Sequence, residues 1–483
     1  MVSRMEGVEQ EVQRHGTMLL ISSFGITFIG FLATVFYAHW VGPSTLGQYY
    51  LFLSYFAILS LFTDFGIGYA TTHRICEGKE PDRYFTTSLF LRLGLYVIIT
   101  IILLIFNNQF GNLNEAGLLW ILIFVLGIST FTSSISLAIG ASNRLGIAAS
   151  VSLINNIVRI TFQVIAVFLG FHVYGLIGGL VAGLLVELII DLRYVDYYLK
   201  KFEWKHVKSI FSFSSWAFLM TTGTVLFDNA NLIIIAYFMP VSDVGIFGVC
   251  WTFSFFALFI STALCNTLFV KVSRWNAAGE RNTITVSLSR ATTYAIVFAL
   301  PIFAGGLLLG QRLLYYLYGA SFAVGATALV IIITMRVFQS LFQLYSNYLM
   351  ATDHAKQAFV GMGIGIIVNI FVALVLVPII GLSGAAIASL VNVICSVIIG
   401  RHFLQDIIPI VIEKESWLHI IIATTIMTIS LLIIDQIPMN QSAIRTAFLV
   451  LIGGGIYFFS LLNLDKRIRE DAFRTLKIQW IPK

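Results

Sequence analysis

Long, mainly apolar runs separated by short polar segments repeat from near the amino terminus almost to the end of the chain. About 20 residues at 1.5 Å rise cross a hydrocarbon core of about 30 Å, so each run of that length predicts a membrane-spanning helix. Fourteen such runs are read. Six lie near 17–41, 45–72, 84–106, 116–141, 147–171 and 174–198; six more near 211–239, 244–270, 284–310, 326–350, 356–379 and 381–404; two final ones near 416–434 and 441–463. The tight junctions at Gly42-Pro43, His172-Val173 and Ile380-Gly381 set the least sharply defined boundaries. The expectation is an all-α polytopic membrane protein.

The first twelve runs fall into two related halves. Arg92 and Arg290 stand 198 residues apart, and the same offset pairs Ala38 with Ala236, Ser44 with Ser242, Gly47 with Gly245, Arg83 with Arg281, Thr87 with Thr285 and Tyr96 with Tyr294. Further on the offset becomes 206, aligning Gly175-Leu-Ile-Gly178-Gly-Leu-Val-Ala182 with Gly381-Leu-Ser-Gly384-Ala-Ala-Ile-Ala388. An internal repeat of this kind predicts two six-helix bundles, residues 1–205 and 206–405, followed at 406–483 by two extra helices and a basic tail. An even number of spans per half makes the repeats parallel.

Composition fixes the solvent. The chain is 58% hydrophobic and only 11% charged, and its mean hydropathy is +0.92, which excludes a water-soluble fold for its 483 residues. The net charge of +6 does not indicate nucleic acid, because the basic residues sit in short clusters between apolar runs. With the amino terminus placed in the cytoplasm, most of these clusters face that side, and the opposite loops hold only Arg312 and Arg445. The positive-inside rule therefore predicts a multi-pass protein of the cell membrane with both termini cytoplasmic.

Several chemistries are set aside. The first apolar run is too long for a cleaved signal peptide. Cys76, Cys250, Cys265 and Cys395 lack a metal-binding or disulfide spacing, and no metal or other cofactor is expected. Phosphate-binding loops and hydrolase motifs are lacking, and the loops are too short for an ATPase, so no enzyme is expected. A membrane glycosyltransferase or ligase would need catalytic acids near an outer loop, where Glu115 and Asp435 are the acids present. Asn440-Gln-Ser442 fits a glycosylation triplet of little weight. The glycine stripe Gly175, Gly178, Gly179 and Gly183 reads as close helix packing. Gly361-x-Gly363-x-Gly365 suits a flexible moving part.

An ionisable residue inside a span costs about 2.5–3.5 kcal/mol on insertion scales, so it faces a partner or a cavity. By depth these are Asp64, Arg92, Arg159, Asp228, Arg290 and Arg336. Four arginines against two aspartates leave a positive interior that suits a phosphate or pyrophosphate, whose oxygens the guanidinium fork binds in pairs. Arg92 and Arg290, about 12 Å from their span starts, equally suit snorkelling to the headgroups. Arg159 and Arg336 lie deeper and favour a cavity. Asp64 and Asp228 are read as structural ion-pair partners or as carriers of a coupling proton or sodium ion.

At this point the residues resemble a family. Val41-Gly-Pro-Ser-Thr-Leu-Gly47 and Met239-Pro-Val-Ser-Asp-Val-Gly245, with Asp64-Phe-Gly66-Ile-Gly68-Tyr-Ala70 before Arg74 and the Gly381–Ala388 segment, are similar to motifs of a superfamily branch. It is the polysaccharide-transporter (oligosaccharide flippase) branch of the multidrug/oligosaccharidyl-lipid/polysaccharide exporters. The resemblance covers about residues 15–405. It implies two bundles meeting in a V around a cationic cavity that opens alternately to each face. The implied cargo is a polyprenyl phosphate- or pyrophosphate-linked oligosaccharide moved outward for surface polysaccharide or glycan assembly. Partners would be that lipid-linked substrate, membrane lipids and H+ or Na+, with a monomer as working unit. A cation-coupled drug or metabolite antiporter of the same superfamily is the alternative. One departure stands out: Thr262 occupies the place of Asp64 in the second half.

Overall fold

The computed structural model describes residues 2–110, 117–142, 144–411, 413–437 and 442–471. Side chains are described from residue 25 onward, apart from residues 109, 110, 145, 216 and 220. Glu115 and Asn440 lie outside the described residues.

In lipid each backbone N–H and C=O must be satisfied within the segment, which leaves the helix as the form an apolar run takes. Fifteen α-helices appear among the described residues, and no strand. They are α1 (Val2–Asp64), α2 (Ile67–Cys76), α3 (Pro81–Ile105), α4 (Leu118–Ala141), α5 (Leu145–Phe168), α6 (His172–Tyr194) and α7 (Trp204–Phe238). Then follow α8 (Val241–Ser254), α9 (Phe259–Ala277), α10 (Arg281–Tyr318), α11 (Ala326–Ala351), α12 (Ala355–Ile380), α13 (Leu382–Gln405), α14 (Lys414–Asp435) and α15 (Ala443–Leu464).

Twelve helical segments are long and apolar enough to cross a membrane, or thirteen if Trp204–Leu219 and Thr221–Phe238 count as one bent span. The sequence-based count of fourteen also divides the first of these, Gly25–Asp64, into two. That segment has 40 residues, twice the length a bilayer needs, and Gly42 leaves the helix at φ 73° immediately before Pro43. Glycine is required there because the left-handed backbone is costly for a residue with a Cβ.

The chain forms two compact units, Met1–Gly248 and Val249–Lys483, which divide within α8. In the first, α7 packs on α1, α2 and α3, and α6 packs along α5 and α4. In the second, α11 and α12 pack on α13, while α14 and α15 pack on α10 and on each other.

Within the first unit the repeat-related glycines Gly47 and Gly245 mark one close crossing. A Cβ on Gly47 would lie 1.8 Å from the Val241 carbonyl oxygen, and one on Gly245 would lie 2.1 Å from that of Pro43. The α5–α6 pair uses the same device. Gly175, Gly179 and Gly183 recur every four residues on α6, and Cβ atoms there would meet Ala166, Gln163 and Asn155 at 2.8, 2.3 and 3.0 Å. The glycine stripe is thus helix packing, as its spacing indicates. In the second unit a Cβ on Gly365 would meet Asn392 Oδ1 at 2.2 Å and Ser396 Oγ at 2.3 Å, so this glycine serves a tight α12–α13 contact.

On the polar side of the first unit, Lys200 pairs with Asp82, and Arg83 bridges Glu80 at 2.7 Å and Glu203 at 3.1 Å. The buried His206 ring meets Glu80 Oε2 at 3.0 Å, and this hydrogen bond holds the Glu80 carboxyl below its usual range. A lowered folded-state value contributes stability above the ordinary carboxylate value of about 4.3, lost as pH falls through the lowered one.

Substituting Gly47 by Leu drives a side chain into the Val241 backbone. It should lower stability by about 3 kcal/mol or more, because main chain cannot yield as a flexible side chain can. Thermal unfolding of the detergent-solubilised protein and its membrane abundance read the loss. Gly94→Leu, at a position with nothing within 4 Å, should change neither.

Candidate functional site

α1 ends at Asp64, where Phe65 and Gly66 take left-handed backbone at φ 47° and 71°. The break frees backbone donors inside the apolar layer, and Asp64 accepts from Gly66 N–H and Gly68 N–H, each at 3.1 Å. Arg92, 4% exposed, reaches the same carboxylate at 2.5 Å and donates to Ser134 Oγ at 2.9 Å. Glycine is needed at position 66, since a Cβ would lie 2.3 Å from the Ser214 carbonyl oxygen. Asp64 and Arg92 are therefore brought together as an ion pair that closes a helix break.

Arg159 has different surroundings. It sits on α5 with Asn155 and Gln163 one turn to either side, all three on one helix face. Its Nη2 donates to Asn156 Oδ1 at 2.8 Å, its buried Nε has no hydrogen-bond partner, and no carboxylate pairs with it among the described residues. Gln163 organises the next turn, accepting from Tyr37 Oη and donating to Tyr49 Oη, each at 3.0 Å, and donating to the Leu176 carbonyl at 2.6 Å. A cation with spare donors, beside a hydroxyl and amide cluster, is suited to phosphate oxygens.

In the second unit Arg336 is 0% exposed. Its Nε donates to Ser254 Oγ at 2.9 Å and its Nη1 to Gln339 Oε1 at 2.6 Å. The guanidinium carbon lies 4.2 Å from the ring centroids of both Trp251 and Phe255. These aromatic faces and Ser254 stand where α8 gives way to a 3-10 turn at Phe255–Leu258, so Arg336 supports that break. Arg290 is exposed on α10, and its one interaction among the described residues is electrostatic, with Tyr294. Arg92 and Arg290, 198 residues apart, thus differ in setting: Arg92 is paired with Asp64, and Arg290 has no ion pair among the described residues. Asp228 is exposed on α7.

Other residues fall into structural groups. Arg312 grips Asp435 with both nitrogens, at 2.6 and 2.7 Å, and Arg445 reaches the same carboxylate at 3.3 Å. Arg312 and Arg445 therefore converge on Asp435, the acid a ligase would have needed. An apolar cavity of about 280 Å³ opens among α10, α14 and α15, lined by Phe298, Pro301, Gly305, Met427, Leu431 and Gly454 among others.

Sequence reasoning passed over two acids inside α6. Glu187 is half-buried, accepting from Asn155 Nδ2 and, at 3.4 Å, from Ser136 Oγ; Asp191 is 0% exposed. The signal was available. Both acids continue the four-residue spacing of the glycine stripe and lie inside an apolar run.

The architecture defines a class first: a multi-pass helical membrane protein with a transporter fold. It is shared with the lipid II flippase MurJ in an inward closed conformation, at a TM-score of 0.74 and 16% identity, over 92% of this chain and 98% of that one. An inward-facing multidrug resistance MATE family transporter of the MOP superfamily matches at 0.59 and 18%, over 80% and 98%. The chain belongs to the polysaccharide biosynthesis protein family, whose profile matches residues 37–327. Two curated relatives come from Haloferax volcanii. One is a probable low-salt glycan biosynthesis flippase, Agl15, 24% identical over 473 residues, covering 98% of this chain and 100% of that protein. The other is a probable flippase, AglR, 24% identical over 463 residues and covering 93% and 95%.

Removing one member of the Asp64–Arg92 pair strands a buried charge. With the carboxylate side chain 30% exposed, Asp64→Ala should cost about 2–3 kcal/mol, below the full penalty of a dry pair. Thermal unfolding should place the Asp64→Ala/Arg92→Met double variant closer to wild type than Asp64→Ala alone.

Proposed function

We propose that this protein is a flippase that moves a polyprenyl phosphate- or pyrophosphate-linked oligosaccharide from the cytoplasmic to the outer face of the cell membrane, for surface polysaccharide or glycan assembly. The observation that carries this reading is Arg159, a membrane-embedded guanidinium with an unpartnered Nε and no carboxylate partner among the described residues. Membership of the polysaccharide biosynthesis family and the flippase names of both full-length relatives support the class of cargo.

In this reading the phosphate oxygens meet Arg159, and the sugar hydroxyls meet the amides and tyrosines around Gln163. Arg290, exposed and without an ion pair among the described residues, is an uncommitted cation of the second unit. Arg92 and Arg336, each committed at a helix break, act by positioning. The apolar cavity among α10, α14 and α15 suits a hydrocarbon chain. Transport proceeds by alternating access through a cationic cavity, with both termini cytoplasmic and a single chain as the working unit. No bond is made or broken, and a ligand bound equally well in two states cannot drive the cycle. A proton or sodium gradient, or consumption of product outside, supplies the direction. The antiporter alternative has no comparable observation in its favour.

Depleting the protein should make a lipid-linked saccharide accumulate on the cytoplasmic leaflet, measured by leaflet-selective labelling of whole cells and inverted vesicles. If none accumulates, the flippase reading fails. Arg159→Gln should lower the flipping rate at least about tenfold at unchanged membrane abundance, since a charge-assisted contact to phosphate is lost. Arg336→Gln should instead lower abundance and thermal stability, by about 3 kcal/mol. Gly454→Leu, filling open space beside the apolar cavity, should slow transport of long-chain cargo more than that of a short-chain analogue.

A further inference from the structure

Gly175, Gly179, Gly183, Glu187 and Asp191 form one slanting row on α6 at four-residue spacing, which winds about 40° around the helix at each step. The glycines seat α5, and where they end two acids take over. Asp191 is 0% exposed and neither of its carboxyl oxygens has a hydrogen-bond partner. Glu187 has two partners, Asn155 and Ser136. The Ser136 hydroxyl lies near both acids, donating to Glu187 Oε1 at 3.4 Å.

The groups facing the acids give no counter-charge. From α5 comes Arg159, turned to Asn156; α4 has no ionisable residue. From the turn before α5 comes Arg144, held by Asp196 at 2.6 Å and the Tyr194 carbonyl at 3.1 Å. From α1 come Tyr37 and Tyr49, both bound to Gln163. Arg193, on α6 itself, is exposed, and Tyr197 follows the helix. No cation pairs with Glu187 or Asp191 among the described residues, and a buried carboxyl so placed is held more cheaply with a proton on it.

We propose that Glu187 and Asp191 form a proton-binding site that sets the anion affinity of Arg159. A Cβ on Gly183 would lie 3.2 Å from the Cβ of Arg159, and Glu187 is one turn further along α6, about 6 Å. With the proton off, a carboxylate charge repels a phosphate arriving at Arg159; with it on, the repulsion is gone. At such separations in a partly screened interior, one unit charge changes affinity by about tenfold. Linkage makes the effect reciprocal: bound anion raises proton affinity by the same factor. This inference rests on the reading of Arg159 as the phosphate contact.

The test uses the full chain in detergent with geranyl pyrophosphate as a soluble probe, titrated calorimetrically at about pH 6 and about pH 8, either side of neutrality. The probe's own titration is common to every variant, so the difference between variants isolates the protein. Wild type should bind about tenfold more tightly at the lower pH than the probe alone accounts for, and Asp191→Asn should lose that extra dependence. Glu187→Gln, which keeps an acceptor for Asn155, should reduce it. Equal pH dependence in wild type and both variants overturns the proposal, as does dependence on sodium in place of pH. Infrared difference spectra separate the site from the reading beneath it. A protonated-carboxyl band at neutral pH that disappears in Asp191→Asn supports the proton site even if the probe fails to bind, and its absence overturns the site. Failure of the probe to bind wild type at either pH counts against Arg159 alone. Unaltered thermal unfolding of Asp191→Asn confirms that the variant is folded.

Discussion

A bilayer core holds no water to satisfy a freed backbone group, and this constraint organises the polar residues of the protein. Wherever a helix breaks inside the apolar layer, a side chain must replace the lost partner. Asp64 does so at Phe65–Gly66, accepting two backbone N–H groups, and Arg92 neutralises it. Ser254 does so where α8 meets the 3-10 turn, donating to the Trp251 carbonyl at 2.7 Å, and Arg336 in turn holds Ser254. Charges that look like binding groups in a list of buried residues are, at these two places, fastenings. What remains after they are assigned is Arg159 in the first unit and Arg290 in the second.

The same constraint shapes the α5–α6 pair. Small residues let two helix backbones approach without the hydrophobic drive that operates in water, and the glycine stripe does this for three turns. Close approach then forces the next residues of each face together. Asn155 meets Glu187, Arg159 lies against Gly183, and Asp191 is sealed behind them. A packing motif thereby positions a cation and two acids with a precision of about one helical turn, which an exposed loop could not hold.

The identities at one 198-residue offset illustrate how far a pattern in the chain predicts chemistry. Gly47 and Gly245, 198 residues apart, meet at one close crossing, which gives both glycines the same cause. Arg92 and Arg290 share identity without sharing a role in packing. Arg92 has Asp64 as its partner, and Arg290 has no ion pair among the described residues. Arg336 and Arg159 show the opposite case: similar depth in their spans, yet one is enclosed by two aromatic rings and the other bonds an amide of its own helix, Asn156.

Length, composition and the period of the apolar runs determined by themselves that this is an all-helical membrane protein, and the order of its motifs determined its family. Those are statements about solvent and local backbone, which each segment answers alone. The pairing of Asp64 with Arg92 was among the readings the chain allowed; the selection between it and an ion carrier belonged to the structure. Glu187 and Asp191 went unread because an acid near the end of a span looks solvated until neighbouring helices are seen to cover it. Which charges are spent and which remain available depends on contacts between residues far apart in sequence, and only tertiary packing decides those.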